Sequence, residues 1–157
     1  MRHAKSDYPE GVADHDRPLA PRGEREAALA GDWLRDHVPA IGAVLCSSAL
    51  RTRQTLARSG ITAPVTYLDR LYEAAPATML AEITGVADAV DALLVLGHEP
   101  TVSHLALGLA GPGSDPAAAD AMRTKFPTSG IAVLGVAGAW AGIEPGSAEL
   151  VAFHVPR

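Results

Sequence analysis

Residues Ala92 to His98 read Ala-Leu-Leu-Val-Leu-Gly-His. Five consecutive apolar residues closed by glycine are the pattern of a strand buried on both faces, as inside a parallel sheet. The run delivers a histidine at its carboxyl end, where open α/β sheets bind ligands. Thr101 to Leu109 then reads as a helix, ended by Gly111-Pro112-Gly113. Its first turn offers His98 free backbone N–H groups and the positive end of a dipole, an environment suited to an anion.

Working outward, four further apolar runs read as strands. Ala43 to Ser47 is short and buried, and Ser48 is placed to cap the following helix, which carries Arg51, Thr55 and Arg58. Pro64 to Leu68 reads as an edge strand, and Gly130 to Val136 and Glu149 to Val155 close the sheet. Pro145-Gly146-Ser147 reads as the hairpin turn between the last two. A long helix is expected from Arg22 to His37, with Ala30, Trp33, Leu34 and Val38 on one face and Pro39 as its stop. Ser114-Asp115-Pro116 reads as another helix start. Strands alternating with helices predict a three-layer α/β/α sandwich with a mostly parallel central sheet.

The chain has 157 residues, the size of one domain, so residues 1–157 are read as a single unit. Aromatics are only 4% against 48% hydrophobic residues, so the core must be built from Ala, Val, Leu and Ile. No apolar stretch approaches the ~20 residues needed to cross a bilayer, and the N terminus lacks the apolar core of a secretory signal. One cysteine, Cys46, cannot form an internal disulfide, which points to a reducing cytoplasm. A net charge of −5 argues against nucleic acid or an anionic membrane as partner. Any anion site must therefore be a local cluster, and Arg2, Arg51, Lys5 and Arg17 are the cations available for it.

The chain opens Met1-Arg2-His3-Ala4-Lys5-Ser6. An Arg-His pair at one end and a histidine at a strand exit suit phosphoryl transfer. Two guanidiniums grip phosphate oxygens with paired donors, and charge neutralisation is most of what this chemistry asks of a protein. A histidine between cations stays neutral, hence nucleophilic. The leaving group needs a proton donor, for which Glu73 and Glu99 are the available carboxylates. His15, His37, His104 and His154 read as surface or packing residues, and Trp33 and Trp140 as packing. The six histidines show no metal-binding spacing.

These elements, in order, resemble the histidine phosphatase superfamily, also called phosphoglycerate mutase-like, in its short SixA-type phosphohistidine phosphatase branch. Arg2-His3-Ala4-Lys5-Ser6 is similar to the opening signature, and Asp16-Arg17-Pro18-Leu19 with Gly23 to the next element. Ser47, Arg51, Gln54 and Thr55 match a third, Leu71-Tyr72-Glu73 a fourth and Gly97-His98-Glu99-Pro100 a fifth. Phe126-Pro127-Thr128-Ser129-Gly130-Ile131 resembles the Thr/Ser-rich turn before a late strand. The matches span nearly the whole chain.

The resemblance implies that His3 is the nucleophile and is transiently phosphorylated. Arg2, Arg51 and His98 would complete the phosphate pocket, Glu73 would be the preferred proton donor with Glu99 as rival, and Ser6 and Arg17 would contact substrate at the mouth. No cofactor or metal is implied. The short chain leaves little room for a lid, which favours a phosphorylated protein as substrate. A small-molecule phosphomonoesterase and a non-catalytic phosphate-binding module are the alternatives. Two departures stand out. Ala4 replaces a glycine, and only Met1 precedes Arg2 where the family places an apolar strand, so the first strand reads as missing or truncated and His3 is expected to be held by downstream contacts alone, with lower stability and poorer positioning.

Overall fold

The computed structural model describes residues 1–157. Three parallel strands, β1 (Ala43–Ser47), β2 (Val65–Leu68) and β3 (Leu93–Leu96), lie in the order β2-β1-β3. β4 (Ile131–Val136) and β5 (Ala148–His154) form an antiparallel pair with a register shift between Val133 and Leu134. Residues Met1 to His3 stand between the two sets. On one side Gly97 N–H donates to the Met1 carbonyl (3.1 Å) and His3 N–H to the Gly97 carbonyl (3.0 Å). On the other, Arg2 N–H donates to Gly130 and Ser129 N–H to His3, each at 3.0 Å. Three residues thus hold a strand's place, and the expected downstream contacts clamp His3 from both sides. Below Met1 the edges of β3 and β4 face an apolar cavity of about 770 Å³, lined by Leu34, Leu94, Val95, Leu105, Ile131 and Val133 among others. The Met1 amine donates to Val95 O at 2.8 Å, and burial pushes its pKa down to about 5.

The layers follow from strand alternation. Val44, Cys46, Leu94 and Leu96 point to one face and pack with Ala30, Leu34 and Leu56 of α1 (Pro21–His37) and α2 (Leu50–Ser59). Leu45 points to the other face and shares a core with Met79 and Ile83 of α3 (Pro76–Thr84) and Val102 and Leu109 of α4 (Thr101–Leu109). Ala118 and Met122 of α5 (Pro116–Thr124) join the same core. Each such aliphatic side chain contributes roughly 1.5–3 kcal/mol on burial. Gly23 lets α1 approach the N-terminal segment, since a Cβ there would lie 2.0 Å from the Lys5 carbonyl oxygen.

Several expectations are corrected. Ser48 does not cap α2: the capping position is Ala49, without a side-chain bond, and the Ser48 hydroxyl pairs with His15 instead. β3 is interior as read, flanked by β1 on one side and Met1–His3 on the other. β4 and β5 are not joined by a tight hairpin. Ser147 N–H closes a turn on Glu144 O, but Trp140–Gly142 forms a 3-10 turn within the same connection. Helix α3 has no counterpart in the sequence reading, because only Met79 and Ile83 of its nine residues are buried and a two-point stripe gives little periodicity. Asp115 caps α5 as expected, accepting from Ala117 N–H at 2.8 Å. No helix is long and apolar enough to cross a membrane.

Candidate active site

His3 leaves the Met1–His3 segment at the same end of the sheet as Ser47 leaves β1 and His98 follows β3. Its ring is 9% exposed, and its Nδ1 lies 2.7 Å from the Ala4 carbonyl oxygen. A carbonyl only accepts, so Nδ1 carries the proton and Nε2 holds the free lone pair. Ala4 N–H donates to Thr55 Oγ1 (2.9 Å), which itself donates to Arg51 O, so α2 braces the backbone beside His3. The His98 ring lies 5.1 Å from that of His3, centroid to centroid, and its Nε2 pairs with Ser47 Oγ at 2.8 Å.

Both rings are kept neutral. Burial is the main cause at His3, whose pKa falls to about 3, with His98, Arg51 and Arg2 adding repulsion. Burial followed by Arg51 brings His98 to about 4. Cationic neighbours were the expected cause, and desolvation turns out to be the larger one.

His98 Nδ1 has no partner, and neither do two buried side-chain atoms on the residues that neighbour or clamp His3, Arg2 Nε and Ser129 Oγ. Arg2 Nη1 donates to Phe126 O (2.7 Å), and Ser129 is clamped to His3 through its own N–H. Ser129 is fully buried at φ 63°. Leaving a buried polar atom unpaired costs about 1–3 kcal/mol, so three beside one histidine mark a place built for a polar visitor.

Arg51, 6% exposed, reaches the same region from the first turn of α2. It donates to Asp14 O (2.6 Å) and to Asp14 Oδ2 (3.1 Å). Asp14 opens a 3-10 turn, Asp14–Asp16, and ties that turn to its surroundings. It also accepts from the Tyr72 hydroxyl (2.6 Å) and from Arg17 Nη1 (2.7 Å). Its carboxyl is held well below the usual range, first by the Tyr72 hydroxyl and then by the two arginines. Arg17 further donates to Ser6 Oγ and Asp7 O and stacks on Tyr8, 3.5 Å from the ring centre.

The expected residues therefore divide. His3, His98, Arg2 and Arg51 lie with Ser47 and Ser129 at one end of the sheet, while Arg17, paired with Ser6, joins them through Asp14. Lys5 is exposed and lies over Tyr8. Glu73 is exposed at φ 55° and forms no hydrogen bond or ion pair. The Glu99 carboxylate is engaged by Ser103, through its N–H (3.0 Å) and hydroxyl (2.6 Å), and so braces the first turn of α4. Asp14, Tyr72 and His15 were not singled out from the sequence. Ala13-Asp14-His15-Asp16 reads as a solvated loop, and its only signal is its position just before the Asp16-Arg17-Pro18-Leu19 element. Cys46 is buried under this end of β1, and burial pushes its thiol up to about 12.

The family described as the histidine phosphatase superfamily, branch 1, matches residues 1–80, the half that carries Arg2, His3 and Arg51. An uncharacterised protein of Mycobacterium tuberculosis (strain H37Rv) is 65% identical over 158 residues, covering 100% of both chains. A structure from Nakamurella multipartitia, described as that of a candidate phosphohistidine phosphatase SixA, superposes with a TM-score of 0.91 at 43% identity, over 99% of this chain and 93% of the other. The protein histidine phosphatase SixA complexed with tungstate gives 0.79 at 26% identity, over 99% and 94%.

Proposed function

The chain belongs to branch 1 of the histidine phosphatase superfamily, and from that premise we propose that it hydrolyses a phosphorylated protein through a phosphohistidine formed on His3. The observation that carries the reading is the set of unpaired buried atoms on Arg2, His98 and Ser129 around a histidine whose Nε2 is free. A tetrahedral oxyanion supplies partners for all of them. Arg2 and Arg51 neutralise the phosphoryl oxygens, and neutral His98 donates from Nδ1 while Nε2 accepts from the Ser47 hydroxyl. His3 Nε2 forms a bond to phosphorus as the bond to the leaving atom breaks. Water then attacks the phosphohistidine, and orthophosphate departs with the His3 lone pair restored.

A protein substrate is favoured by the mouth. Tyr8 (68% exposed) and Val12 (39%) stand unprotected on the rim loop. The two similar structures are named for phosphohistidine or protein histidine phosphatases. Rapid acid-free quenching with radiolabelled phosphodonor tests the route. Wild type is expected to carry alkali-stable, acid-labile phosphate and to hydrolyse para-nitrophenyl phosphate, whereas His3→Ala does neither. Equal hydrolysis by both would remove His3 from the reaction.

A further inference from the structure

In-line displacement places the leaving atom opposite His3 Nε2, on the mouth side of the phosphorus. From floor to mouth, one wall of the pocket is a row of rings. His3 faces His98 at 5.1 Å, His98 faces Tyr72 edge-on at 5.6 Å, and Tyr72 faces His15 edge-on at 4.9 Å. His15 is the outermost member, with 40% of its side chain exposed. It sits in the 3-10 turn that Asp14 fastens to Arg51, Arg17 and Tyr72, so its backbone is fixed relative to the phosphate-gripping guanidinium.

Both ring nitrogens are oriented. Nδ1 faces the Asp16 carboxylate at 3.3 Å and Nε2 faces Ser48 Oγ at 3.1 Å. Ser48 adjoins Ser47, the hydroxyl that holds His98, so consecutive residues at the end of β1 position two imidazoles. The two carboxylates read from the sequence are less well placed. Glu99 is engaged by Ser103, and Glu73 has no group to orient it.

Resting on the phosphatase reading above, we propose that His15 protonates the leaving atom. In its imidazolium form Nδ1–H donates to Asp16 and Nε2–H rests on Ser48 Oγ, from which it turns to the leaving atom when substrate is bound. As the His3 Nε2–P bond forms and the bond from phosphorus to the leaving oxygen or nitrogen breaks, the Nε2 proton passes to that atom. The neutral imidazole then takes a proton from the water that attacks phospho-His3, which restores the starting state. A phosphohistidine substrate needs this step in particular, because its imidazole departs as a neutral molecule only once protonated.

The test is a leaving-group comparison. Para-nitrophenolate departs without help and phenolate does not. His15→Gln is expected to lower kcat on phenyl phosphate by roughly 100-fold, the lower end for loss of a general acid, and on para-nitrophenyl phosphate by less than about 3-fold. Glu73→Gln should show no such split. Equal losses on both substrates in His15→Gln, or the split appearing in Glu73→Gln instead, would overturn the assignment. Labelling of His3 separates the two proposals. A wild type that takes up label while His15→Gln shows no split rejects His15 alone, and a wild type without label rejects the covalent route and this step together.

Discussion

The sharpest consequence of two buried, neutral imidazoles is acid sensitivity of the fold. Each has an ordinary pKa of 6.5, and in the fold His3 lies at about 3 and His98 at about 4. The unfolded chain therefore binds protons that the folded chain refuses. Stability from these groups is complete above the unfolded value and is lost as pH falls from there toward the folded values. Between pH 7 and pH 5 the loss is about 1.9 kcal/mol per ring, so about 4 kcal/mol for the pair. Asp14 contributes only in the more acidic range below its ordinary 3.8. About 4 kcal/mol is a large share of the whole stability of many domains, about 5–15 kcal/mol. Urea unfolding followed by circular dichroism at pH 7, 6 and 5 measures it. The double variant His3→Asn with His98→Asn is expected to lose about 4 kcal/mol of the pH dependence, whatever its absolute stability. A wild type whose unfolding free energy changes by less than about 1 kcal/mol between pH 7 and pH 5, or a double variant with the wild-type slope, would refute the reasoning.

A second perturbation reads the contact between Asp14 and Arg51. Asp14 occupies Arg51 with a carboxylate, and an incoming phosphate must share that guanidinium with it. Asp14→Asn is expected to tighten tungstate or orthophosphate binding about 5- to 10-fold at low ionic strength, with the gain fading as salt rises; calorimetry reads it, and unchanged affinity would count against competition at Arg51.

What the sequence conveyed, and what it withheld, follows the range of the interactions involved. Leu93 to Leu96 and Ala43 to Ser47 are legible because one face is buried and the other wholly or partly covered, which writes an unbroken apolar run, and the histidine and serine at their ends inherit their place from the sheet. Arg2 and His3 were legible as a motif, but not as a strand. Three residues have no period, and what makes them strand-like is pairing with Gly97 and Gly130, some hundred positions away. The Asp14 turn was missed for a similar reason. Asp14 has an ordinary loop composition around it, and its role comes from converging on Arg17, Arg51 and Tyr72, which are near it only after folding. The two carboxylates nominated as acids carried family position without geometry: Glu99 serves the first turn of α4, and Glu73 sits at positive φ with nothing to hold it. His15 had the reverse fortune, being dismissed as a surface histidine because its partners Asp16 and Ser48 make no pattern together in one dimension. His3 and His98 are tied to strand ends and can be read from the runs beside them. His15, proposed to face the leaving group, stands on a turn whose place emerges only when Asp14 is seen pinned to Arg51.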